Sequence, residues 1–96
     1  MLSRILKRIR DLVRAREYVM SLHAEEEMYA DELTVFDVES AILTGEIVQR
    51  QKDRNTAEWK YVISGETLGG GKTIVVCKLG PTGKVVFITV YCESER

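Results

Sequence analysis

The sequence predicts a small α+β domain, and three patterns in it carry that prediction. A basic amphipathic stretch opens the chain, a well-capped helix lies near its middle, and the second half alternates apolar and polar residues between glycine-rich turns. The expected order is α, β, α, α and then four strands. With 96 residues, 45% of them apolar, the chain suits one domain over 1–96 with one modest core, which a dimer contact or a partner would reinforce.

Residues 1–16 place Leu2, Ile5, Leu6, Ile9, Leu12 and Val13 at steps of three and four, with Arg and Lys on the opposite side. This is a basic amphipathic helix, expected to pack on the sheet. Its other uses would be contact with a partner, an RNA backbone or an anionic membrane surface. "EYVMSL" (17–22) is short and β-like, and "HAEEEMYA" (23–30) offers one or two helical turns with Ala24 and Met28 inward. "LTVFDVESAILTG" (33–45) is the best-signalled helix. Thr34 is its N-cap, Asp37 the capping-box acid, Leu33 and Val38 a hydrophobic staple, and Gly45 the stop. Val38, Ala41 and Ile42 form its inner face.

Strands are expected at 46–51, 58–64, 72–79 and 84–93, and the last four residues read as a flexible tail over 93–96. If Pro81 and Thr82 are the two central turn residues, Cys77 opposes Val86. Val75, Cys77, Leu79, Val86, Ile88, Val90 and Cys92 then share the core face. Ile74, Val76, Lys78, Val85, Phe87, Thr89 and Tyr91 fall on the other face, half apolar, which needs a cover or a partner.

Composition excludes several classes. No apolar run approaches the ~18 residues a membrane span needs, and charges interrupt the N-terminal apolar pairs too often for a secretory signal. Two cysteines, Cys77 and Cys92, without a C-x-x-C, argue against a disulfide scaffold and a structural zinc site. They are expected to be reduced thiols in a cytoplasmic protein. "GGGK" (69–72) lacks the phosphate-loop spacing and leads into a strand. The net charge of −1 is unevenly spread: +5 over residues 1–16, −8 over 23–46, where no Lys or Arg occurs, and +4 over 50–84. Such asymmetry marks a partner surface.

The segments "YVMSLHAEEEM", "LTVFDVESAILTGEIVQ", "YVISGE", "IVVCKL" and "VVFITVYCE" resemble, in order and spacing over about residues 5–93, the DUF4258 family of small bacterial proteins. That family is similar to the RelE-like toxins of the barnase/EndoU/colicin/RelE class, and its members often lie beside zinc-finger antitoxins. The resemblance implies helices packed on one face of an antiparallel sheet of about four strands. It also implies an RNA-cleaving role with an antitoxin, mRNA or the ribosome as partner. His23-Ala24 match the family's opening signature, and Thr89, Val90 and Tyr91 match its closing one. The family's arginines four and eight residues after the histidine are here Glu27 and Asp31, and a histidine common before the "VVC" segment is here Ile74. Arginines would bind phosphate; carboxylates repel it.

His23 and Glu27 stand four apart and would share one side of a helix. One histidine and one carboxylate make a poor metal site, so neither a metal nor another cofactor is expected. His23 is either a helix-start residue holding a backbone group or an acid/base assisted by a carboxylate, and the glutamates around it read as a solvated face. Metal-independent RNA cleavage would need an acid, a base and a cation on the phosphate. His23, Tyr91 and Tyr61 are the catalytic candidates, and Lys60 and Lys78 the phosphate holders. Arg50, Arg54 and Thr89 extend the RNA-binding set, with the rings of Trp59, Tyr61, Phe87 and Tyr91 as stacking surfaces; otherwise the rings are core and the lysines guard sheet edges. Two functions follow: a toxin-type mRNA endoribonuclease, or a non-catalytic relative that binds a protein partner or a second copy through its sheet face.

Overall fold

The computed structural model of the chain describes residues 2–93. The elements are α1 (Leu2–Arg14), β1 (Tyr18–Met20), α2 (Leu22–Ala30), α3 (Val35–Thr44), β2 (Glu46–Lys52), β3 (Trp59–Glu66), β4 (Lys72–Leu79) and β5 (Val85–Cys92). Apart from Glu93, the expected flexible tail lies outside the described residues. The class is α+β, but the sheet has five strands in the order β1-β5-β4-β3-β2 and is mixed. The four-stranded antiparallel expectation fails at one edge, where β1 runs parallel to Val85–Phe87. Three residues carry too little alternation to announce a sheet partner so distant in sequence.

All three helices pack on one face. Ile9 and Val13 of α1, Ala24 and Met28 of α2, and Val38, Ala41 and Ile42 of α3 join Tyr61, Ile63, Val75, Cys77, Val85, Phe87 and Val90 in a single core. α3 lies close on β3 because Gly65 has no side chain: a Cβ there would stand 1.9 Å from the Ala41 carbonyl oxygen. The capping box of α3 forms as expected, with Thr34 Oγ1 accepting from the Asp37 N–H and the Asp37 carboxylate accepting from the Thr34 N–H. The other end of α3 has no basic residue of its own. Arg10 of α1 supplies one, donating to the carbonyls of Ile42 (3.1 Å) and Gly45 (2.6 Å).

The β4–β5 register differs from the expected one by one residue. Cys77 lies opposite Phe87, not Val86. Gly83 is the cause: at φ +88 it adds a third residue to the turn, and Gly80 pairs with Lys84 instead of Gly83, its N–H donating to the Lys84 carbonyl at 2.8 Å. Val85 and Phe87 therefore enter the core, and Val86 leaves it. A second irregularity leaves Ile88 unpaired, because Val76 faces Thr89. That restores Val90 to the core face, where the shorter turn had also put it.

Candidate functional site

The feature that organises the expected site residues is the seam between α2 and β5. β1 pairs with β5 only as far as Met20 and Phe87. Ser21 then bridges strand and helix. Its N–H donates to the Phe87 carbonyl at 2.9 Å, its hydroxyl donates to the Ile88 carbonyl at 3.0 Å, and the same oxygen caps α2 by accepting from the Ala24 N–H. The helix-capping role considered for His23 thus belongs to Ser21, with His23 in the first turn of α2.

Beyond the bulge, α2 replaces a neighbouring strand. Glu27 Oε1 accepts the backbone N–H of Val90, and Asp31 Oδ2 accepts that of Cys92, both at 3.0 Å. These donors line the outer edge of β5, where a bare strand would invite another chain. Glu27 is therefore no part of a solvated face, unlike the exposed Glu25 and Glu26. His23 Nε2 stands 3.3 Å from Glu27 Oε2, with its side chain 64% exposed against 27% for Glu27. The histidine lies on the outside of the seam and the carboxylate on the inside. The spacing of residues 23, 27 and 31 showed that they share a stripe; nothing local showed that the stripe lies along a strand edge.

The remaining expected residues divide among three places. Tyr61 is buried in the core, beneath the helices. Lys60, Lys78, Thr89 and Tyr91 lie on the opposite, uncovered face of the sheet, which continues through Val62, Ile74, Val76 and Val86 to Val19 on the edge strand. Val76 sits centrally, between Val62 and Thr89, and Ile74 sits between Ser64 and Tyr91. Lys72 also lies on this face, exposed at the start of β4 opposite Glu66, and the other two lysines are already paired. Lys78 Nζ lies 2.7 Å from Glu58 Oε1, and Lys60 Nζ lies 3.7 Å from Asp53 Oδ2. The Lys78 hydrogen bond holds the Glu58 carboxyl below its ordinary range; that of Asp53 is lowered first by the N–H groups of Asn55 and Thr56, and then by Lys60.

Arg50 and Arg54 belong to the β2–β3 hairpin. Arg50 lies over the Trp59 ring, 4.3 Å from its centroid, and Lys52 Nζ is 5.6 Å from the same ring. Arg54 is exposed in the turn. His23 stands on α2 and Tyr91 on β5, whereas Lys60 is on β3 and Lys78 on β4. Among the described residues no three His, Cys, Asp or Glu side chains group as metal ligands, and no helix is long and apolar enough to cross a membrane.

Sequence reasoning missed a second polar pair. The Tyr18 hydroxyl donates to Glu39 Oε2 across to α3, and burial followed by the Glu39 carboxylate pushes the phenol up to about 12. Tyr18 also meets Phe87 edge-on, at 5.2 Å between centroids. No curated protein and no solved structure matches the chain. One family model, the domain of unknown function DUF4258, matches residues 20–92, from β1 through the seam to the end of β5, and the chain belongs to that family.

Proposed function

We propose that the chain is a non-catalytic interaction module that pairs with a second copy of itself through the uncovered sheet face. The observation that carries this is the chemistry of that face. Its centre is apolar (Val62, Val76 and Val86 around the buried Ile74), and two of its lysines, Lys60 and Lys78, are neutralised within the chain by Asp53 and Glu58, while Lys72 stands at its end opposite Glu66. A phosphate would have to break those pairs. A second copy would not, and it would cover the apolar centre. At the α2 positions where the family resemblance expects arginines, Glu27 and Asp31 are committed to the edge of β5. Two unpaired thiols, one of them deeply buried, suit a reducing bacterial cytoplasm.

One observation favours a second function, the RelE-like mRNA endoribonuclease of a toxin–antitoxin pair. Arg50 and Lys52 stand over the half-exposed Trp59 ring, with Arg54 exposed in the turn of the same hairpin, a combination that suits a single-stranded RNA. Induced expression in a bacterial host, with total mRNA integrity followed alongside growth, separates the two. The interaction module leaves growth and mRNA unchanged at confirmed soluble levels. Arrest with mRNA loss, relieved by His23→Ala or by Lys60→Ala/Lys78→Ala in folded protein, would establish the nuclease instead.

A further inference from the structure

On the helical side of the molecule, away from the sheet face, α3 and the β3–β4 loop enclose a groove of about 360 Å³ lined by Phe36, Glu39, Ser40, Leu43, Thr44 and Leu68. Its apolar groups are unusually open for their size: Phe36 is 51%, Leu43 38% and Leu68 71% exposed. Phe36 and Leu43 are seven residues apart and stack along one side of the helix, two turns apart, while Leu68 faces them from the loop. The loop is held in place. The Leu68 N–H donates to Asp37 Oδ1 at 3.2 Å, Thr67 and Gly71 close the turn at 2.8 Å, and Gly70 takes φ +90. Asp37 therefore fixes the start of α3 and presents Leu68 with the same carboxylate.

We propose that this groove docks a basic amphipathic helix of a partner protein. Charge selects the partner. Glu39 lines the groove and Asp37 holds its loop through the Leu68 N–H, and no Lys or Arg is among the lining residues. Cations flanking an apolar stripe complement this rim, whereas an anionic membrane surface is repelled by it. Backbone chemistry selects a helix. The groove walls are α3, whose backbone bonds are internal, and a closed turn, so they offer no strand edge to an extended peptide. A helix brings its own hydrogen bonds and needs only anchors spaced as Phe36, Leu43 and Leu68 receive them.

The test is fluorescence anisotropy with two designed helical peptides. Both carry Leu at i, i+3, i+4 and i+7, and their polar faces are all Lys in one and all Glu in the other. The Lys peptide is expected to bind, weaken with added salt, and lose about tenfold or more in affinity to Leu43→Ser/Leu68→Ser. Glu39→Gln is expected to lower both affinity and salt dependence, and Leu22→Ser, at an exposed leucine of α2 outside the groove lining, to leave binding unchanged. Should the double variant not fold, Leu68→Ser alone carries the test, since that side chain is largely in solvent. Equal binding of the Glu peptide, undiminished binding by the leucine variants, or no binding of the Lys peptide would overturn the proposal. So would loss of self-association in Leu43→Ser/Leu68→Ser, which would assign the groove to a second copy.

Discussion

The carboxylate of Glu27 accepts the backbone N–H of Val90 at 3.0 Å, joining the middle of α2 to the outer edge of β5. Asp31 repeats the contact one turn later, on Cys92. A helix here finishes a sheet edge that the three residues of β1 leave uncovered.

Removing that acceptor leaves a part-buried N–H without a partner, so Glu27→Ala is expected to cost about 1–2 kcal/mol. Glu27→Arg cannot accept at all and should cost at least as much. Urea unfolding midpoints at unchanged slope measure both. A Glu27→Arg variant as stable as the wild type would show that the carboxylate does not hold the edge.

Asp37 gives the fold an acid-sensitive element. The Thr34 N–H is the first cause that lowers its carboxyl below the ordinary 3.8, and the Leu68 N–H adds to it. The folded value is the lower one. The stabilisation is therefore complete above the unfolded value and disappears as pH falls through the folded one. Asp37→Asn is expected to lose about 1 kcal/mol near neutral pH, in keeping with a weakened cap. Its stability should converge with the wild type below the carboxyl's ordinary range. Thermal unfolding of both proteins across that range tests the sign.

The two thiols should separate cleanly. Cys77 is fully buried, and burial pushes its thiol up to about 12. Cys92 is exposed at the end of β5, its thiol raised by partial burial and by the nearby Asp31 and Asp37 carboxylates. Native protein is expected to release one equivalent of thiol to a disulfide reagent, slowly for an exposed group, and the second only with unfolding. Two equivalents reacting at similar rates would contradict the core position of Cys77.

Helix periodicity, caps and strand alternation made most of this fold legible in the sequence. Ile9, Val13, Val38, Ala41 and Ile42 lie in the core where spacing puts them, and the capping box of α3 is complete. The misplacements have local physical causes. Gly83 at positive φ lengthened the β4–β5 turn and exchanged Val86 for Val85 and Phe87 in the core, because one residue of slip reverses every side chain. The site was less legible. Tyr61 alternates correctly with Trp59 and Ile63, and so enters the core with Ile63, while the pairings of Lys60 and Lys78 join residues 7 and 20 positions apart. The roles of Glu27 and Asp31 depend on backbone donors more than 60 residues away, which no helical pattern encodes.

Pairing through the uncovered sheet face is tested most directly by sedimentation equilibrium over a wide concentration range, comparing wild type with Val76→Glu. Val76 lies centrally on that face, half-buried between Val62 and Thr89. A glutamate there can neighbour Lys78 in the monomer but would be buried between two copies. The account predicts a dimer for the wild type at high concentration and a monomer throughout for a folded Val76→Glu. A wild type that stays monomeric, or a variant that associates equally well, would contradict it.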